Sequence, residues 1–208
     1  MQRAVEVDPR NTNLVHDLVG ALAEQGRDLE AVSAIRRSLD INPTDSSLPI
    51  MAARMLEASD DWTSAIFYYD VALQNDPKNR MWHRHRGMCL YHLGNFDRAS
   101  VDFEVALPGS PVSPQLTEHV AWAKSYMQQG KLERAGELLH RIVNDDGVRN
   151  SEIESLRVLC QSQMGHQIEA LKILAQALRD WPNDVQLLEA EQFVHAQYKS
   201  PGELASVE

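Results

Sequence analysis

The sequence predicts an all-α fold made of stacked helix-turn-helix repeats, and two residue patterns support this prediction. An alanine recurs at spacings of 34, 34, 36 and 35 residues, at Ala31, Ala65, Ala99, Ala135 and Ala170. A proline follows the same period, with a glycine in one of its places, at Pro9, Pro43, Pro77, Pro111, Gly147 and Pro182. Two residue types that share one period and one offset indicate units that stack on one another.

Each unit contains two stretches of helical pattern around a short turn. The turns carry glycine or polar residues, as at Leu93-Gly94 and Gln129-Gly130. A small residue precedes each of the three central alanines by twelve positions, in the pairs Ala53 and Ala65, Gly87 and Ala99, and Ala123 and Ala135. Two helices approach closely only where both present small side chains, so these pairs predict the helix crossing of each hairpin. The recurring proline then ends the second helix, because it has no N–H and cannot continue the ladder.

These patterns resemble the tetratricopeptide repeat (TPR) family, which has a 34-residue period with small residues at its eighth and twentieth positions and proline at its thirty-second. The resemblance covers about residues 1–183. It implies a right-handed superhelical solenoid of about five repeats. In such a solenoid the first helix of each repeat lines a concave groove, and the second forms the convex back.

The repeat register divides residues 1–199 as a single solenoid. It predicts a helix end at 1–11, repeats at 12–45, 46–79, 80–113, 114–149 and 150–183, a capping helix at 184–199 and a flexible tail at 200–208. The stub before Pro9 has two interpretations, a lone capping helix or the end of a repeat in a longer array. The repeat at 150–183 fits two phases one residue apart, so no groove residues are assigned to it.

The sequence departs from the family pattern at three places. Pro49 stands early in a first helix and predicts that this helix starts late. Arg86 stands where leucine is expected, and Trp82 is a candidate to replace its packing. The segment 108–114 carries two extra residues and three prolines, which predicts a small offset or hinge.

Composition and charge exclude several classes of function. The formal net charge of −10 opposes binding to a phosphate backbone, so no nucleic-acid partner is expected. The sequence contains no apolar run of about 18 residues, so no membrane insertion is expected. Cys89 and Cys160 are predicted to be separate buried thiols, which favours a reducing compartment and the cytoplasm. A periplasmic location stays open if the chain is a fragment of an exported protein.

No catalytic or cofactor motif is found. The chain has no phosphate-binding glycine loop, no Cys-x-x-Cys and no His-Glu-x-x-His. His83 and His85 are two residues apart and point in different directions on a helix, whereas His85 and His92 share a face without a third ligand. We therefore expect solvated histidines, no metal, no cofactor and no enzymatic activity.

The resemblance places several residues on the groove side by their repeat position or next to it. These residues are Arg54, Met81, Arg84, His85, Met88, Tyr91, His92, Lys124, Met127 and Gln128. They surround a methionine-lined channel with basic side chains, which suit an acidic or amphipathic peptide with apolar anchors. The alternative is that the basic residues fall there by chance, beside acidic neighbours such as Asp17 and Glu118. The Lys-then-Asn pair of the TPRs that clamp a carboxyl terminus is absent.

A second surface is predicted on the convex back. The run Ile66-Phe67-Tyr68-Tyr69 is too long to be buried on one helix face. Tyr69 is the expected core residue, so Phe67 or Tyr68 is expected to be exposed near Trp62. Burial of this aromatic patch under a neighbouring repeat is the alternative.

Three functions are consistent with the sequence. The first is a non-catalytic module whose groove binds a peptide or helix of another protein, as a scaffold, adaptor or chaperone. The second is a self-assembling scaffold, and the third is a regulatory or targeting domain of a larger enzyme or secretion protein. A size that depends on concentration would favour the second.

Overall fold

The protein is all-α, as the sequence predicts. The computed structural model describes residues 11–42, 45, 47–110, 112 and 115–199, and these form eleven helices and no strand. The chain divides into two compact units, Met1–Pro108 and Gly109–Glu208. The predicted prolines at Pro9, Pro43 and Pro111, the helix end at 1–10 and the tail at 200–208 lie outside the described residues. The predicted repeat boundaries therefore stay predictions.

The first unit contains three helical hairpins in its described part. The six helices are α1 (Thr12–Glu24), α2 (Asp28–Ile41), α3 (Ser47–Ala58), α4 (Trp62–Asn75), α5 (Arg80–His92) and α6 (Phe96–Ala106). Each hairpin pairs an odd-numbered helix with the next helix, and α2 packs on α3 just as α4 packs on α5. Consecutive hairpins thus bury one another's apolar faces, as expected for stacked repeats.

The second unit contains two hairpins and a further helix in its described part. The five helices are α7 (Leu116–Gln128), α8 (Leu132–Asn144), α9 (Ser151–Gln163), α10 (Gln167–Asp180) and α11 (Val185–Lys199). The final helix packs against both α9 and α10. Its Ala190 and Val194 are fully buried in one cluster with Val158, Ala170 and Leu174. None of the described helices combines the length and hydrophobicity that crossing a bilayer requires.

Small residues lie buried at the predicted crossings of the three central hairpins. All five recurring alanines are fully buried. Gly87 shows how close the approach is, because a Cβ atom at this position would stand 2.9 Å from Cε1 of Phe103. A contact this short would force the Phe103 ring to move, so the dense packing favours glycine at this crossing.

The hairpin turns need one residue in the left-handed region of backbone conformation. Gly94 and Gly130 have φ of 73° and 70°, where glycine carries no Cβ penalty. In the second hairpin Asp60 takes this position, with φ of 57°. Aspartate is among the few side chains that tolerate this conformation, so the turn geometry persists without glycine.

Pro49 lies in the first turn of α3, where its missing N–H breaks no helical hydrogen bond. The preceding turn caps this helix, because Oδ1 of Asp45 accepts from the N–H groups of Ser47 and Leu48 at 2.8 and 3.1 Å. The helix begins at Ser47, two residues before Pro49, so the proline falls within its first turn.

Candidate functional site

The charge distribution of α5 makes it the most unusual helix of the first unit. It contains three arginines, three histidines and no acidic residue, in a chain with a net charge of −10. Asn79 caps its first turn, with Oδ1 accepting from the N–H of Trp82 at 3.3 Å. The basic side chains of α5 point in different directions and serve different purposes.

Some of the basic side chains of α5 hold the fold together. Arg86 donates to both carboxylate oxygens of Asp102, at 2.8 and 2.6 Å, and to Asp70 at 2.6 Å. Nδ1 of His83 lies 2.7 Å from Oδ1 of Asp102, and its Nε2 lies 3.0 Å from the carbonyl oxygen of Pro77. Asp102 is 1% exposed, so this is a buried network joining α4, α5 and α6. The expectation of a solvated histidine is therefore wrong for His83.

Another face of α5 carries side chains that are open to solvent. Met81 is 55% exposed, and Arg84 and Met88, at three and seven residues from it, are half-buried. These spacings put all three on one side of the helix. Arg54 of the neighbouring α3 is exposed. We call these four residues, Arg54, Met81, Arg84 and Met88, the α3/α5 face.

A polar contact ties the two helices together beside this face. Nδ1 of His85 lies 3.3 Å from Oε1 of Glu57, and the Tyr69 hydroxyl donates to Oε2 of Glu57 at 2.7 Å. The Tyr69 and His85 rings stack with their centroids 5.9 Å apart. His85, predicted as a groove residue, is therefore already bound to a carboxylate of its own chain. The sequence did not identify Glu57 as a site residue, although its position near the end of a first helix could have indicated one.

The Glu57 carboxylate is held in its charged form. Burial raises its pKa, but the hydrogen bonds from His85 and Tyr69, with the nearby charges of His85 and Arg54, outweigh burial and lower the pKa below its ordinary value. Burial and the Glu57 carboxylate raise the pKa of the Tyr69 hydroxyl, which stays a donor. At neutral pH the Tyr69 hydroxyl is therefore the donor and the Glu57 carboxylate the acceptor.

Glu57→Gln is expected to reduce the loss in free energy of unfolding that occurs as the pH falls into the acid range. Because the folded-state pKa of Glu57 is lowered, its contribution is present above about pH 4.5 and is lost as the pH falls through the folded-state value. Urea unfolding at pH 7 and pH 4 should therefore show a smaller loss of stability for the variant than for the parent. Glu24→Gln, at an exposed carboxylate on α1, is the control. Parallel losses in the parent and Glu57→Gln would contradict this assignment.

The remaining predicted residues of the first unit are grouped around the end of α5. Trp62 and His92 stack with ring centroids 4.5 Å apart and an angle of 14° between their planes. Tyr91 makes edge contacts with His92 and Phe96, each at 5.8 Å. Trp62 was predicted for the convex patch, but it packs on His92, which was predicted for the groove.

The second unit carries three of the predicted groove residues. Nζ of Lys124 donates to Oε1 of Glu152 at 2.7 Å, which joins α7 to α9. Met127 is half-buried, and Gln128 is exposed. Lys124 was expected to be an exposed basic residue, but it is only partly exposed and its charge is already paired. The two residues are 28 positions apart, and repeat register alone does not predict which side chains meet.

The structure decides which residue of the aromatic run is exposed. Phe67 is 59% exposed, whereas Tyr68 is 5% exposed and belongs to the core. The Phe67 ring rests on the edge of Tyr68, with centroids 5.2 Å apart. Of the two candidates, Phe67 is therefore the one that this run presents to solvent.

The described residues do not bring metal-ligating side chains together. No three His, Cys, Asp or Glu side chains among them are grouped so as to hold a metal ion. Cys89 and Cys160 are buried, as predicted. Burial raises the pKa of Cys89 to about 12 and that of Cys160 to about 11, so neither is a thiolate at neutral pH.

Comparison with known proteins agrees with the fold. A family model described as a tetratricopeptide repeat matches residues 50–114. Tetratricopeptide repeat protein 33 of Homo sapiens is 27% identical over 113 residues, which is 54% of this chain and 43% of that protein. The crystal structure of YrrB, described as a TPR protein with an unusual peptide-binding site, superposes with a TM-score of 0.76 at 14% identity, covering 92% of this chain and 97% of YrrB. The crystal structure of MamA gives a TM-score of 0.69 at 15% identity, covering 82% and 92%.

The matched residues and the curated relatives support the tetratricopeptide repeat family for this chain. The predicted fold class, a solenoid of TPR-type hairpins, is confirmed. The TPR fold implies a module for protein–protein interaction. It spans less than half the length of the human relative that it matches.

Proposed function

We propose that the α3/α5 face of the first unit binds a peptide segment of another protein, and that this segment carries carboxylates between apolar anchors. The chain would then act as an adaptor that brings its partner to other proteins. The observation that carries this proposal is the placement of Arg54 on α3 beside Met81, Arg84 and Met88 on α5, two neighbouring first helices of an acidic chain.

The chemistry of the four side chains supports this choice of ligand. A guanidinium offers a planar set of donors that fits a carboxylate, and the resulting hydrogen bonds are charge-assisted. A methionine side chain is flexible and polarizable, so it adapts to apolar anchors of different shapes. Because no acidic residue lies on α5, a bound carboxylate meets no repulsion from that helix.

Lys124 and His85, two of the predicted groove residues, each contact a glutamate of this chain, so we leave them out of the proposed binding set. Their charges already have partners within the chain, at Glu152 and Glu57. We assign the ligand to the two arginines of the α3/α5 face, Arg54 and Arg84. The titratable neighbours Glu57 and His85 are assigned to holding α3 and α5 in place.

Selection from a random library of displayed 16-residue peptides tests this proposal. We expect the parent chain to enrich peptides with Asp or Glu beside apolar residues. Arg54→Glu with Arg84→Glu should weaken binding of the selected peptides by about tenfold or more, because each lost contact to a charged group is worth about 1.5–3 kcal/mol. High salt should weaken the parent's binding as well.

The matched control is Arg37→Glu with Lys78→Glu. Both positions are exposed, one on α2 and one in the turn before α5, and the change in net charge is the same. Circular dichroism of all three proteins checks folding. Equal loss in the control, or enrichment of basic peptides by the parent, would contradict the proposal. Recovery of a second copy of the chain as the only partner would favour the self-assembling scaffold.

A further inference from the structure

A cleft of about 550 Å³ lies between the first two hairpins of the first unit. Its walls come from the turn and first residues of α2 on one side and from the end of α3 and its turn on the other. Val32, Met55 and Leu56 provide apolar surface, and Leu29 stands at the cleft with 82% of its surface exposed. The volume is within the range of sites that hold small ligands.

The same place between the second and third hairpins is filled by two rings. There Trp62, the first residue of α4, stacks on His92, the last residue of α5, with centroids 4.5 Å apart. Thirty-four residues earlier, the first residue of α2 is Asp28 and the last residue of α3 is Ala58. Between the first and second hairpins, an acid and a methyl group thus stand where a stacked aromatic pair stands between the second and third hairpins. The cleft is the space that this substitution leaves open.

The rim of the cleft is acidic. Asp28 and Asp61 each place a carboxylate there, and Asp61 also caps α4 by accepting from the N–H of Ser64 at 3.1 Å. Arg27 is the basic residue among the cleft's lining, and its Nε and Nη2 both donate to Glu30 at 2.7 Å. That arginine is already paired with its neighbour. The net charge presented to a ligand is therefore negative.

We propose that this cleft binds an aromatic side chain of a partner protein that is flanked by lysine or arginine. The ring takes the volume that Trp62 and His92 fill in the next repeat, against the thioether of Met55 and the side chain of Leu56. The flanking cation donates to Asp28 and Asp61. This site is separate in residues and opposite in charge preference from the α3/α5 face.

Methyl NMR of the full chain with blocked tripeptides tests the site. The probe is acetyl-Lys-Trp-Lys-amide, with acetyl-Glu-Trp-Glu-amide and acetyl-Lys-Ala-Lys-amide as comparisons. We expect saturable shifts at the methyl groups of Leu29, Val32 and Met55 with the first probe and none at Val101. The acidic tripeptide should bind at least fivefold more weakly, and the alanine tripeptide should give no saturable shift. Absence of saturation with the first probe, or equal binding of the first two, would overturn the proposal.

Two variants make the test specific. Asp28→Trp with Ala58→His rebuilds the aromatic pair of the next repeat and should abolish the saturable shifts. Asp28→Asn with Asp61→Asn keeps the size of both side chains and the capping group. It should remove the preference for the basic over the acidic tripeptide while the ring still binds. If Asp28→Trp with Ala58→His does not fold, Asp28→Asn with Asp61→Asn still tests the proposal. An unchanged preference of that variant for the basic tripeptide would overturn the proposal. Arg54→Glu with Arg84→Glu should leave the tripeptide shifts unchanged, which separates this site from the proposed function.

Discussion

Asp102→Ala is expected to lower the free energy of unfolding by about 3–5 kcal/mol, the range found when one partner of a buried ion pair is removed. Asp102 is 1% exposed and accepts two hydrogen bonds from Arg86 and one from His83. Without it, the guanidinium of Arg86, with 18% of its side chain exposed, keeps only Asp70 among these carboxylates. The loss comes from leaving a charge poorly compensated inside the protein.

Urea unfolding at pH 7, followed by circular dichroism, measures this effect. Glu104→Ala, an exposed carboxylate on the same helix, is the control and should change stability by less than about 0.5 kcal/mol. A double variant, Arg86→Ala with Asp102→Ala, should lose less than the sum of the single variants, because the two groups share one network. A loss below about 1 kcal/mol for Asp102→Ala would show that the network is not a stabilising element.

Gly87→Leu is expected to destabilise the first unit by about 1–3 kcal/mol through overpacking. A Cβ atom at this position would stand 2.9 Å from Cε1 of Phe103 and 3.2 Å from Cβ of Asp102. Phe103 is fully buried, so its ring has no free space into which to move. The helices α5 and α6 would have to separate, and the network around Asp102 lies at the same crossing.

Gly20→Ala is the matched control for this prediction. Gly20 is also inside a first helix, but a Cβ there would meet no atom within 4 Å. The substitution should therefore raise stability by about 0.5–1 kcal/mol, the difference in helix propensity between glycine and alanine. Thermal unfolding of both variants gives the comparison. A neutral Gly87→Leu, or a loss from Gly20→Ala, would contradict the predicted crossing of the hairpins.

The repeat period in the sequence was sufficient to predict the hairpins. Small residues twelve positions apart identify the crossing in the three central repeats, because close helix contact has a simple steric requirement. Ala53 and Ala65 are both fully buried, as this requirement predicts. Packing of this kind depends on side-chain size, and size can be read directly from the sequence.

The charged contacts could not be predicted in the same way. Arg86 was recognised as an exception at a leucine position, but nothing in the period identifies Asp102 and Asp70 as its partners. Long charged side chains reach neighbours on other helices, and several acceptors lie within reach of each. The same reason explains why Lys124 was predicted as free and is found on Glu152.

The aromatic run shows a limit of periodicity itself. In Ile66-Phe67-Tyr68-Tyr69 every residue is apolar, so the hydrophobic pattern does not say which side chain points outward. The structure exposes Phe67 and buries Tyr68. A shift of one residue in the helix phase would reverse this result, and only the packing of α4 on its neighbours decides it.

Photo-crosslinking tests most directly whether the α3/α5 face is the binding surface. The photoreactive residue p-benzoylphenylalanine replaces either Met81, 55% exposed on α5, or Phe67, 59% exposed on α4. The two sites are similarly exposed and lie on a first and a second helix. With a peptide selected by the parent chain, we predict crosslinks from position 81 and not from position 67. Crosslinks from position 67 alone would contradict the account and assign binding to the second helices.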